Sequence, residues 1–197
     1  MLYNTHELNK LIRIVCENVN ASEGTFYKSK LLDFIRFLIY LNGKTIKKNQ
    51  IQILKIMQDD DFTQILIPNS EEIIEEHVRS YQEMNGNFNG TVKMSQELLY
   101  LVTYWQIMTS LIDENNDVNI GKLVKTYPFE NLVQFVKKSG NCWPLKRNIR
   151  AFLNRIYYFT PGTSAYLQAM ILEEIPSIID DLDAFISLKT GPDAKKF

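Results

Sequence analysis

Glycine and proline are scarce in this sequence, with 8 and 6 copies in 197 residues. Because all-β folds need such residues at their many turns, this scarcity argues against an all-β chain. The two cysteines, Cys16 and Cys142, belong to no Cys-x-x-Cys pair. A disulfide between them is open, but two buried free thiols are the favoured interpretation. The two histidines, His6 and His77, are too few for a zinc site, and we expect no metal and no cofactor.

Neither charge sign is in excess, since 22 basic residues face 23 acidic ones for a net charge of −1. Nothing therefore points to nucleic acid or to a membrane surface as a partner. The longest apolar run, Leu98 to Ile112, is shorter than the roughly 20 residues that span a bilayer. The start of the sequence, Met1 to Glu7, lacks the apolar segment of a signal peptide. We expect no membrane insertion and a reduced, cytosol-facing setting.

Apolar residues at helical spacing recur from one end of the sequence to the other. The first such set is Leu8, Leu11, Ile12, Val15 and Cys16. Further helices are predicted at 31–41, 47–58, 71–82, 95–112, 120–124, 129–136, 144–159 and 164–185, with Pro176 kinking or splitting the last. No convincing strand is found. The pattern predicts an all-α, armadillo-like α-solenoid of about nine or ten helices with no sheet and only degenerate repeats.

Polar breaks divide these helices. Asn42-Gly43 is predicted to end the second helix as a left-handed C-cap, and Ser70 to cap the start of another. The segment 83–91, rich in Gly and Asn, is predicted to be a loop between subregions of about 1–82 and 92–189. Residues 1–197 are interpreted as one helical domain.

Motifs that indicate catalysis are missing: there is no P-loop, GxGxxG, HExxH or GxSxG. Neighbouring acidic residues on a helix diverge by about 100° and make no catalytic pair. Glu72 and Glu76 do share a face, but a solvated surface explains them better. Asp59 to Asp61 lacks the spacing of a calcium-binding EF-hand loop. We expect no catalytic residue and no enzyme.

The most suggestive charged group is Lys146, Arg147 and Arg150, with Arg155 one turn further on. At spacings of three and four these cations can meet an anion or an acidic partner helix. The competing interpretation, which we favour, is the polar stripe of an amphipathic helix whose apolar face includes Phe152.

Three stretches, in collinear order, resemble one family. They are Lys30–Gln50, a helix with an Asn-containing turn and a Gln-bearing segment; Glu97–Ile112, a long apolar helix before the polar turn at 115–120; and Phe129–Val136 followed by the Arg-bearing Pro144–Phe159. Together they are similar to the RIH-type domain shared by ryanodine and inositol trisphosphate receptors, and closer to the second. The similarity covers about residues 5 to 160 and rests on collinearity of packing patterns.

The resemblance implies a tetrameric calcium-release channel of the endoplasmic reticulum or a related store. This chain would belong to its cytosolic assembly, with other domains of the same polypeptide and neighbouring subunits as partners. No inositol phosphate contact of the family maps onto this sequence.

We therefore expect a helical scaffold that relays ligand binding to gating, and the alternative is a stand-alone armadillo-like protein-binding adaptor. In either case Trp105 and Phe152 are expected in the core.

Overall fold

The computed structural model describes residues 5–21, 25–58, 71–85, 93–158 and 165–190. In these ranges the prediction of an all-α fold is confirmed, with nine α-helices, a two-stranded hairpin and a π-helical turn. The helices are α1 (Thr5–Ala21), α2 (Thr25–Ile39), α3 (Lys47–Met57), α4 (Glu71–Asn85), α5 (Gln96–Ser110), α6 (Asp117–Thr126), α7 (Phe129–Lys138), α8 (Trp143–Leu153) and α9 (Ala165–Thr190).

The hairpin corrects the expectation that the chain has no sheet. Tyr40–Leu41 (β1) pairs antiparallel with Lys44–Thr45 (β2), so α2 stops two residues before its predicted end. Asn42 and Gly43 do adopt positive φ, at 52° and 77°. Positive φ at two consecutive positions is what a tight hairpin turn of type I′ requires. These two residues therefore reverse the chain towards α3, and their predicted role as a helix cap was wrong.

Other boundaries also differ from the predictions, and α2 for example begins at Thr25, six residues before its predicted start. The polar turn predicted over 113–119 is shorter, because α6 already begins at Asp117, and α8 ends at Leu153. Residues Asn154–Tyr158, predicted as α-helix, form the π-helical turn. Pro176 lies inside a continuous α9 and does not split it.

The start of α4 at Glu71 agrees with the prediction, whereas Ser70 lies outside the described residues. Of the predicted loop 83–91, residues 83–85 belong to α4 and residues 86–91 lie outside the described part of the chain.

Helix α5 is the central element, as its nearly all-apolar sequence predicts. It packs against both α2 and α8. Other helix pairs in contact are α1–α2, α7–α8, α1–α3, α4–α7, α2–α3, α3–α6 and α4–α5. Ser95 begins α5 by accepting a hydrogen bond from the Leu98 amide at 3.1 Å.

The core is built around an aromatic cluster on α5, α7 and α8 and at Tyr127, the residue after α6. Trp105 and Phe152 are both 0% exposed, which confirms their predicted burial. The Trp105 ring lies 5.5 Å from Phe152, 5.4 Å from Tyr127 and 6.1 Å from Phe135, centroid to centroid, in edge or tilted geometries. Such arrangements add to the hydrophobic gain of burial.

Within the described ranges, none of the helices has the length and apolar character needed to cross a bilayer.

Candidate functional site

The cations singled out on α8 find an anion within this chain. The Lys146 ammonium lies 2.5 Å from Asp181 Oδ1, and the Arg150 guanidinium lies 2.6 Å from Asp181 Oδ2. The three side chains are only 14%, 17% and 18% exposed. Asp181 belongs to α9, so this ion cluster (Lys146, Arg150 and Asp181) joins α8 to α9.

The structure does not bring the third predicted residue into the ion cluster. Arg147 is exposed, because the next residue along a helix points about 100° away. Lys146 also lies 5.4 Å from the centre of the Trp143 ring, a cation–π contact that fixes its side chain further. Contact of Lys146, Arg147 and Arg150 with an external anion or partner stays a prediction, and Asp181 is the anion already beside two of them.

Arg155 leads to a second group of polar residues. From the π-helical turn its guanidinium donates to Asp113 Oδ1 at 2.7 Å, and the Tyr40 hydroxyl donates to Asp113 Oδ2 at 2.7 Å. Burial raises the pKa of Tyr40, and the neighbouring Asp113 raises it further. The carboxylate therefore receives two donors at neutral pH, one from the hairpin and one from the π-helical turn.

Behind Asp113 lies a buried network centred on Gln50 of α3, which is 0% exposed. The Gln50 amide group donates to the carbonyls of Ser110 at 2.8 Å and Asp113 at 3.2 Å. Its carbonyl oxygen accepts from the Asn116 side chain at 2.8 Å. All three hydrogen bonds cross about sixty residues of sequence to the turn between α5 and α6.

Two asparagines complete this turn. The Asn116 side-chain oxygen accepts from the Asn119 amide at 3.3 Å and so caps α6. The Asn119 side chain donates to the Leu111 carbonyl at 2.8 Å. Glu114 and Asn115 have φ of 54° and 53°, and a non-glycine residue occupies that region seldom. We call Gln50, Asp113, Asn116 and Asn119 the polar hub.

Burial keeps three ionisable groups of the described core protonated, namely the hydroxyls of Tyr104 and Tyr127 and the thiol of Cys142. The hydroxyls of Tyr104 and Tyr127 are hydrogen-bonded to each other, and burial raises the pKa of Tyr127 to about 12 and that of Tyr104 well above its usual value. Burial also raises the pKa of Cys142 to about 11. Groups with such pKa values donate hydrogen bonds at neutral pH and are poor nucleophiles. Cys142 is a buried free thiol, as predicted, while the Cys16 side chain lies outside the described residues.

Reasoning from the sequence missed the polar hub, although one signal for it exists. Gln50 precedes Ile53 and Leu54 by three and four residues, which places it on the buried face of α3. A polar residue on an apolar helix face needs a partner, because burying an unpaired amide is costly. The local sequence pattern does not show that the partner of Gln50 is the turn at 110–116.

Across the described ranges, the structure gathers no group of three metal-ligating side chains. Comparison of the chain with protein-family models, with curated proteins and with solved structures gives no match in any of the three.

Proposed function

We propose that this chain is a non-catalytic helical scaffold in the cytosolic part of an intracellular calcium-release channel that resembles the inositol trisphosphate receptor. In this role it couples ligand binding to gating. The observation that best supports the proposal is the polar hub. It joins the first two stretches that resemble the family, through the hydrogen bond from Gln50 to the Ser110 carbonyl. Arg155 of the third stretch pairs with Asp113, which lies just after the second.

A relay needs elements that move together, and the polar hub favours this. A shift of α3 relative to the turn would break three hydrogen bonds of Gln50 in a buried place. An unpaired buried polar group costs about 1–3 kcal/mol. Small displacements therefore move α3, the turn between α5 and α6 and the π-helical turn as one body.

We propose an armadillo-type stack for these helices, and contacts such as α1–α2, α2–α5, α5–α8 and α7–α8 support it. In such a stack each repeat contacts its neighbours, so small rotations add along its length. We propose the cytosolic face of the endoplasmic reticulum or a related store as its location. The proposed partners are other domains of the same channel and the neighbouring subunits of a tetramer.

A chimeric channel tests the relay. This chain would replace the corresponding domain of an inositol trisphosphate receptor, and both ligand binding and ligand-evoked calcium release would be measured in vesicles. We expect the chimera to bind the ligand and to release calcium. We expect Gln50→Ala to leave ligand binding unchanged and to reduce release, because it loosens the polar hub.

Gln134→Ala is the matched control, since Gln134 is exposed on α7. Equal calcium release by the Gln50 and Gln134 variants, both shown to be folded, would contradict coupling through the polar hub. A folded chimera that binds ligand and never releases calcium would count against the channel assignment itself.

The alternative function is a stand-alone protein-binding adaptor. An exposed row of aliphatic side chains on α9 favours it: Leu172, Ile175, Ile179 and Leu182. The full transcript that contains residues 1–197 decides between the two. A downstream cluster of membrane-spanning segments supports the channel, and a short product without any supports the adaptor.

A further inference from the structure

The apolar surface of helix α9 has two parts, and the described residues cover one of them. The covered face carries Leu167, Met170 and Ile171, which pack against the core. The same side carries Glu174, which lies 3.0 Å from Lys137, and Asp181 of the ion cluster. These contacts fix the rotation of α9, and so they fix which residues face outwards.

The outward face carries an outer stripe, which we define as Leu172, Ile175, Ile179 and Leu182. Their exposures are 64%, 41%, 51% and 55%. Their spacing of three, four and three residues is that of the contact positions in a coiled coil. At 100° per residue they lie within an arc of about 80°, over a length of about 15 Å. This is the shape of a seam for one further helix.

Carboxylates line one edge of the outer stripe. Asp183 lies about 20° and Asp180 about 80° from the edge that Leu172 forms. They make no ion pair with the described part of the chain. From Ala165 to Asp183 the helix contains no Lys or Arg. The charges that α9 itself carries beside the outer stripe, up to Asp183, are therefore all negative.

From these observations we infer that the outer stripe is the docking site of a basic amphipathic helix from another polypeptide segment. Its aliphatic residues would lie along the outer stripe, and its Lys or Arg side chains would face Asp180 and Asp183. A second copy of α9 fits less well, because its own carboxylates would repel those of the first. Such a partner suits a channel scaffold as well as an adaptor, so failure of the channel assignment would leave it standing.

Fluorescence anisotropy with the full chain tests the docking site. The probe is a labelled peptide of three heptads with Ile and Leu at the seam and Lys at the flanking positions. The matched peptide has Glu in place of each Lys. We expect saturable binding of the basic peptide with a Kd on the order of 10 μM. Binding of the acidic peptide should be at least about tenfold weaker at low salt, and the difference should shrink in high salt.

Variants of α9 separate the apolar contribution to peptide binding from the electrostatic one. Leu172→Gln with Ile179→Gln removes the apolar contact and should weaken binding at least about tenfold. Asp180→Asn with Asp183→Asn removes charge and should weaken it about threefold to tenfold, at low salt only. Val118→Gln is the control, because Val118 is 52% exposed but lies on α6.

Three results would overturn the inference. One is no saturable binding of the basic peptide to the folded chain. Another is binding that the Leu172 and Ile179 substitutions leave unchanged. The last is concentration-dependent dimerisation in sedimentation velocity that those same substitutions abolish, since a second copy would then be the occupant.

Discussion

Replacement of Gln50 by Ala should destabilise the fold far more than replacement of an exposed glutamine. The Gln50 side chain is wholly buried and makes three hydrogen bonds, to the Ser110 and Asp113 carbonyls and from Asn116. Truncation leaves the Asn116 N–H and the Asp113 carbonyl without these partners, in a place where Asn116 itself is only 2% exposed.

The magnitude follows from these lost contacts. Each buried polar group left unpaired costs about 1–3 kcal/mol, and the vacated volume adds a smaller cavity cost. For two such groups we expect a loss of about 3–5 kcal/mol in the free energy of unfolding. Since small domains are stable by about 5–15 kcal/mol, the variant should be folded but close to its limit.

Replacement of Gln50 by Glu sharpens the test, because it keeps the shape and exchanges a donor for an acceptor. Ionised, the new carboxylate would face the two carbonyl oxygens, so the folded state should raise its pKa above the ordinary value of about 4.3. Because of this raised folded-state pKa, the contribution of the new carboxyl group to stability is fully present below about pH 4.3. It falls as the pH rises, by up to about 1.4 kcal/mol per unit until the folded-state pKa is passed.

Urea unfolding followed by circular dichroism measures both effects, with Gln134→Ala as the exposed control. The denaturant slope should stay constant, so that midpoint shifts report stability. A loss below about 1 kcal/mol for Gln50→Ala would refute the polar hub as a structural junction. A Gln50→Glu variant whose penalty does not depend on pH would refute the proposed orientation of the amide.

Three further outcomes are expected. Trp105→Ala and Phe152→Ala should each cost about 3–5 kcal/mol in urea unfolding, because both side chains are buried and aromatic; a loss under about 0.5 kcal/mol would place them outside the core. Asp181→Asn should cost about 1–3 kcal/mol, because Lys146 and Arg150 lose their counter-ion in a place that solvent only partly screens; equal proteolysis of α9 in variant and parent would contradict this. The contribution of Tyr127 to the free energy of unfolding should be fully present below about pH 10 and should be lost between pH 10 and about 12. The reason is that burial raises the pKa of Tyr127 to about 12, whereas a tyrosine of the unfolded chain ionises near 10. Tyr127→Phe should lessen that fall in pH-dependent thermal melts, and an unchanged profile would exclude Tyr127 as its source.

The sequence predicts most helices because their signal is local. Helix α5 is recognisable from its run of apolar residues and from Ser95 before it. Helix α7 ends with Lys137 and Lys138, whose positive charges interact favourably with the helix dipole. The hairpin at Tyr40–Leu41 escapes prediction, since strands of two residues carry no alternation to detect.

The candidate site was less predictable, because its chemistry depends on residues far apart in sequence. The spacing of Lys146 and Arg150 shows that they share a helix face. It does not show that Asp181 lies opposite, since that depends on how α9 folds back over α8. Likewise the burial of Gln50 is visible in the pattern of α3, but its partners on the turn are fixed only by tertiary packing.

The distance in sequence between Gln50 and its partners also bears on how the chain is made. Asn116 follows Gln50 by 66 positions, and translation at about 5–20 residues per second needs several seconds to cover that interval. Throughout that time the first three helices have left the ribosome with a polar group in their apolar face and nothing to satisfy it. A nascent chain stalled before the turn should therefore stay loosely packed and open to chaperones. The first three helices can therefore pack stably only after α5 and the turn that follows it have left the ribosome.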